Sequence, residues 1–110
     1  GEDAFNRALD YLNKNYAENI TLDVLADYAG FSRYTLSRML SRHTGATFIQ
    51  YLNARRVDMA AEMLSQSDLP VTQVALRVGF GSIATFNRVF RTQKGCTPSQ
   101  YRNVYLELKK

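Results

Sequence analysis

The chain has 110 residues, 45% of them hydrophobic, with two prolines and a net charge of +4. This composition suits one compact domain, or two very small ones sharing an element, and excludes a disordered tail. No run approaches the ~18 apolar residues of a membrane helix and no signal-peptide pattern opens the chain. A single cysteine, Cys96, excludes an internal disulfide and a cysteine-rich zinc site, so a reducing, cytoplasmic setting is expected.

Taken in chain order, the elements read as helices throughout. Phe5, Ala8, Leu9, Leu12 and Tyr16 form a helical stripe over residues 4–16. Thr21 is a good N-cap for a short helix from Leu22 to Tyr28, and Gly30 supplies the left-handed residue that stops it. Ser32 caps the next helix, Arg33 to His43, which closes at Gly45. Thr47 opens a longer helix through Leu64, with Phe48, Tyr51, Leu52, Val57, Ala60, Ala61 and Leu64 as its apolar positions. After a loop over residues 65–69, Pro70 suits the first turn of a helix running to Val78, which Gly79 stops. Ser82 then caps a helix from Ile83 to Gln93, and Pro98 starts a last one of a turn or two. No strand-like alternation competes with this all-α reading.

Charge is segregated along this order. Six of the ten acids fall in the first 27 residues. Residues 28–57 carry five arginines and no acid, and residues 69–106 carry four arginines and Lys94, again without an acid. Two acid-free basic blocks predict positive surfaces and a polyanionic partner.

The chain also repeats itself. Leu22, Leu25, Ala26 and Gly30-Phe31-Ser32 lie over Val71, Val74, Ala75, Gly79-Phe80 and Ser82, with Gly81 as an insertion in the second copy. The match continues through Leu36, Arg38 and Leu40 over Phe86, Arg88 and Phe90. It ends with Gly45, Thr47 and Gln50-Tyr51 over Gly95, Thr97 and Gln100-Tyr101. Each copy is a short helix, a glycine-containing turn and a second capped helix, the pattern of a helix-turn-helix unit. Ala26 and Ala75 suit close helix crossings, while Phe31 and Phe80 are expected to anchor the turns in the core.

In the second helix of unit one, Leu36, Met39 and Leu40 share the inward face. The outward face offers Arg33, Tyr34, Ser37 and Arg38 to base edges in a major groove, with Ser32, Ser41 and Arg42 placed for phosphates. Unit two buries Phe86, Val89 and Phe90. It exposes Ile83, Ala84, Asn87 and Arg88 towards bases, with Ser82, Thr85 and Arg91 for phosphates. Ile83 and Ala84 make no hydrogen bond to a base but can touch a thymine methyl, so direct readout is expected to be richer in unit one. The linking helix is about 27 Å long at 1.5 Å per residue, of the order that sets two helices in successive major grooves about 34 Å apart.

These residues resemble the DNA-binding domain of the AraC/XylS family of transcriptional regulators. The match is carried by Val74-Ala75, Gly79-Phe80, Ser82, Phe86, Arg88, Phe90, Gly95, Thr97-Pro98 and Tyr101-Arg102. Leu25-Ala26, Gly30-Phe31-Ser32, Leu36, Arg38 and Gly45 in unit one, with Tyr51, Arg55-Arg56, Ala60 and Leu64 in the linking helix, extend it over nearly the whole chain. The resemblance implies a seven-helix fold, with a first helix-turn-helix subdomain (1–46), a linking helix (47–65) and a second subdomain (66–110). It also implies double-stranded DNA in two adjacent major grooves and gene activation through RNA polymerase. Most members carry a further domain that senses a ligand or dimerises. The chain is therefore expected to be a fragment of such a protein or one of the short members, with the opening Gly1-Glu2 favouring a fragment. The domain itself is expected to be monomeric, and an intact protein to dimerise through its further domain.

Several residues invite sharper readings than their surroundings support. Either Arg55 or Arg56 is expected to pair with Asp58, Glu62 or Asp23, and Tyr51 and Tyr101 are expected to pack in the core. His43 suits the negative end of its helix and has no partner ligands for a metal. Cys96 has no second histidine or cysteine to activate it and reads as a packed small residue. With no clustered carboxylates, phosphate loop or metal spacing, neither an enzyme nor a cofactor is expected. The competing reading is a helical protein-interaction module.

Overall fold

A computed structural model describes residues 2–108, which contain seven α-helices and no strand. They are α1 (Glu2–Lys14), α2 (Leu22–Ala29), α3 (Arg33–Thr44), α4 (Phe48–Gln66), α5 (Val71–Arg77), α6 (Ile83–Lys94) and α7 (Pro98–Leu108). The chain divides into two compact units, Gly1–Asn53 and Ala54–Lys110, with the boundary inside α4.

The first unit closes around Phe5, Ala8 and Leu12 of α1, Leu25 and Ala26 of α2, Leu36 and Leu40 of α3, and Phe48 and Leu52 of α4. Apolar spacing of three and four along each helix puts these side chains on one face, and burying that face is what makes helices this short stable. Met39 and Phe31 are half-buried against the same cluster, so Phe31 lies at its edge and not within it. In the second unit Val57, Ala60, Leu64, Val74, Ala75, Val78, Phe80, Phe86 and Phe90 are buried. Phe86 lies between Phe80 and Phe90, at ring-centroid distances of 5.3 and 5.6 Å, and the Tyr101 ring meets Phe90 edge-on at 5.6 Å.

Local signals fix where each helix starts. The side chains of Thr21, Ser32 and Ser82 accept from the backbone N–H of Val24, Thr35 and Thr85, as N-caps do. The repeated Thr-x-x-Gln has a specific cause. Thr47 Oγ1 accepts from Gln50 N at 3.1 Å, while Gln50 Oε1 accepts from Thr47 N at 2.9 Å. Thr97 and Gln100 reproduce both bonds at the same distances. Each pair is a reciprocal capping box, starting α4 and α7.

The two helix-turn-helix corners also share a backbone lock. Phe31 N donates to Ala26 O at 2.9 Å, and Phe80 N to Ala75 O at 3.0 Å. Both bonds require the intervening glycine in the left-handed region, with φ of 79° at Gly30 and 105° at Gly79. A Cβ at Gly30 would meet no atom within 4 Å, so Gly30→Ala is opposed by backbone conformation alone. It is expected to cost about 1 kcal/mol in urea unfolding. An unchanged midpoint would contradict the lock.

Most helices end one or two residues away from the sequence reading, α1 at Lys14 and not Tyr16, and α4 at Gln66 and not Leu64 among them. Three other differences bear on caps and packing. α1 begins at Glu2, where Glu2 and Asp3 suit the positive end of the helix, not at Ala4 where the apolar stripe starts. α5 ends at Arg77, one residue before Val78, and Pro70 stands at its N-cap without a side-chain hydrogen bond. α7 runs for 11 residues, not one or two turns. Its last turns carry Val104, Leu106 and Leu108 exposed, so no buried stripe announced them.

Candidate nucleic-acid interface

Within unit one, α3 turns Leu36 and Leu40 inward and leaves Arg33, Tyr34, Ser37, Arg38, Ser41 and Arg42 exposed. Tyr34 is 68% exposed, far more than a core aromatic, and the Arg38 guanidinium lies 5.5 Å from its ring centroid. The two are four residues apart on one helical face, so the ring orients the cation. Arg33 is engaged differently: its Nε lies 3.5 Å from Asp23 Oδ1 on α2. Both side chains are about two-thirds exposed, and a pair of that kind contributes at most about 1 kcal/mol. Ser32 Oγ also donates to Thr35 Oγ1 at 3.0 Å, so its hydroxyl is occupied within the cap.

In unit two, α6 exposes Ala84, Asn87, Arg88 and Arg91. Ile83, expected to be exposed, is half-buried, and so is Thr85. The reason is local: Ile83 lines a shallow groove of about 600 Å³ together with Val71 and Thr72 at the start of α5 and Pro98 at the start of α7. Asn87, Arg88 and Arg91 line it as well. Ser82 Oγ accepts from Thr85 N at 3.2 Å.

Among the described residues, Arg38, Arg42, Arg88 and Arg91 form no ion pair, whereas Lys14, Arg33 and Lys94 pair with Asp10, Asp23 and Asp58. Both of the arginine pairs lie on the second helix of a helix-turn-helix unit. Neither α3 nor α6 contains an acid to neutralise them. Such helices present a cationic, hydrogen-bonding face along their exposed side, which suits a phosphate-rich groove.

Of the other singled-out residues, Arg56, Tyr51, Tyr101 and His43 pack against aromatic rings or the core. Of the acids offered to Arg55 or Arg56, Asp23 pairs with Arg33 and Asp58 with Lys94. Arg56 lies 5.8 Å over the Phe80 ring, and burial pulls its guanidinium below the ordinary value. Tyr51 is half-buried against the unit-one core and Tyr101 against Phe90. The His43 ring, in the last turn of α3, packs 4.8 Å from that of Phe5, and Cys96 is half-buried. Among the described residues no group of three or more His, Cys, Asp or Glu is placed to hold a metal ion.

Arg102 has a role that sequence reasoning did not reach. Its Nε donates to Leu64 O at 3.0 Å and its Nη2 to Leu69 O at 2.6 Å, tying α7 to the end of α4 and the following loop. Both acceptors are carbonyls more than 30 residues away, which leave no mark on the local sequence.

A family model described as a helix-turn-helix domain matches residues 25–103, from α2 into α7. A solved AraC-type DNA-binding domain protein from Chromobacterium violaceum superposes with a TM-score of 0.88, covering 94% of this chain and 93% of that one at 26% identity. The chain belongs to the AraC/XylS family. The DNA-binding domain of the global transcriptional factor AdpA, solved in complex with a target DNA, is similar at 33% identity and a TM-score of 0.87. It covers 92% of this chain and 91% of that one. An uncharacterized HTH-type transcriptional regulator of Staphylococcus aureus is 35% identical over 101 residues, 92% of this chain. This chain spans only 14% of that relative's length, so the matched segment is a small part of a far larger regulator there.

Proposed function

We propose that the chain is a sequence-specific reader of double-stranded DNA within a bacterial transcriptional regulator, with α3 and α6 entering successive major grooves. The carrying observation is the pair of capped, acid-free helices whose exposed arginines, Arg38 and Arg42 in one unit and Arg88 and Arg91 in the other, have no carboxylate partner. The likeness to a domain solved on its target DNA supports the same reading.

The division of labour follows from side-chain chemistry. Arg33, Tyr34, Ser37 and Arg38 face bases from unit one. Asp23 yields Arg33 to a guanine edge, because the exposed pair is weak against a bidentate contact. Asn87 and Arg88 face bases from unit two, beside Ile83 and Ala84. Arg42, Arg91, Ser41, Ser82 and Thr85 contact phosphates, with Ser32 serving chiefly as the cap of α3. In the intact regulator, which works in the cytoplasm, RNA polymerase is the partner that converts occupancy into transcription. The domain itself binds as a monomer to an asymmetric site, since one chain carries both readers.

Salt dependence tests the reading. Affinity for a DNA duplex is expected to fall steeply with salt, with a log–log slope of roughly 0.9 per phosphate neutralised. Arg91→Ala should weaken binding to all sequences alike and reduce that slope by about one contact's share. Salt-insensitive binding, or an unaltered slope in the variant, would contradict the assignment.

A further inference from the structure

We propose that unit two recognises thymine through its 5-methyl group, using Ile83 and Ala84 as an apolar reading edge; this rests on the DNA-binding reading above. The internal repeat exposes the difference between the units. The Asp23–Arg33 ion pair of unit one occupies the positions that Thr72 and Ile83 hold in unit two. The charged corner between the first helix and the reading helix has therefore become an uncharged one. Thr72 and Ile83 both line the groove there, beside Val71 and Pro98.

The first turn of α6 has little polar capacity to read with. Ser82 Oγ accepts from the Thr85 N–H, and its remaining donor is assigned to a phosphate, which leaves half-buried Ile83 and exposed Ala84 as the base-facing side chains nearest the helix start. Thymine is the one base that presents a methyl group in the major groove. The β-branched Ile83, restricted at χ1, holds its methyls in place with little further entropy to lose. An aliphatic edge set beside Asn87 and Arg88 therefore selects thymine by contact, while those two act on neighbouring groups by hydrogen bonding.

The test uses a duplex selected on this chain from a random library, resynthesised with deoxyuridine replacing each thymidine in turn, which removes only the methyl. One or two positions should lose about fourfold in affinity each, the worth of one buried methyl. Ile83→Ala should abolish the dT-over-dU preference at one of those positions. Losses below twofold at every thymidine would overturn the proposal while leaving DNA binding intact. So would an Ile83→Ala variant that discriminates dT from dU as strongly as the parent chain. The deoxyuridine series on the parent chain stands whether or not the variant folds. Selection of no duplex at all would overturn the DNA-binding reading itself, and this proposal with it.

Discussion

Arg38→Ala should lose about 1–3 kcal/mol of preference for the cognate base pair, roughly 5- to 150-fold, while binding to unrelated duplexes changes far less. The effect is large because Arg38 is held over the Tyr34 ring, at 5.5 Å, by a helix whose opposite face is buried at Leu36 and Leu40. Less entropy is spent in orienting the fork when it meets a base. Lysine should restore little, since a point charge lacks the paired donors and stacks poorly on a ring. Competition binding against duplexes altered at single positions reads this directly. A uniform loss across all sequences would reassign Arg38 to the phosphates.

The largest expected effect on stability belongs to Phe86→Ala. Phe86 is fully buried in contact range of Phe80 and Phe90, and Phe90 passes the packing on to Tyr101 at the start of α7. Truncation there removes the ring's transfer free energy and leaves a cavity, at a cost of about 3–5 kcal/mol. A domain of this size has roughly 5–15 kcal/mol in total, so the midpoint of thermal unfolding should fall by more than about 10 °C. A shift under about 3 °C would mean that the aromatic row is not the centre of this unit.

Both expectations depend on features legible in the sequence to different degrees. The inward faces of α3 and α6 followed from apolar spacing, because Leu36, Leu40, Phe86 and Phe90 recur at helical intervals and all are buried. The caps at Thr21, Ser32 and Ser82 followed equally, since a cap is made within four residues of sequence. The capping boxes at Thr47 and Thr97 stood in plain view as a repeated Thr-x-x-Gln, a signal that the repeat disguised as mere similarity.

What escaped the sequence depends on contacts between helices. Arg33 is drawn to Asp23, ten residues back, only because the turn at Gly30 brings the start of α2 to the start of α3. Ile83 is half-buried because the starts of α5 and α7 line the same groove, although its place on α6 marks it as outward-facing. Arg102 reaches two carbonyls more than 30 residues away. The later turns of α7 have exposed Val104, Leu106 and Leu108, whose arrangement gives no amphipathic stripe to read. The candidate site was therefore legible as a list of residues, but not in how each is held.

Selection of bound duplexes from a random library decides whether one chain carries two unlike readers of DNA. Two unlike readers on one chain should enrich an asymmetric site with two blocks of preferred base pairs, centred about 10 base pairs apart, one turn of the double helix. Unit one's block should be the more strongly specified, and the enriched duplex should exceed a scrambled one in affinity by roughly 10³-fold or more. Recovery of no preferred sequence, or of a single block, would contradict the account.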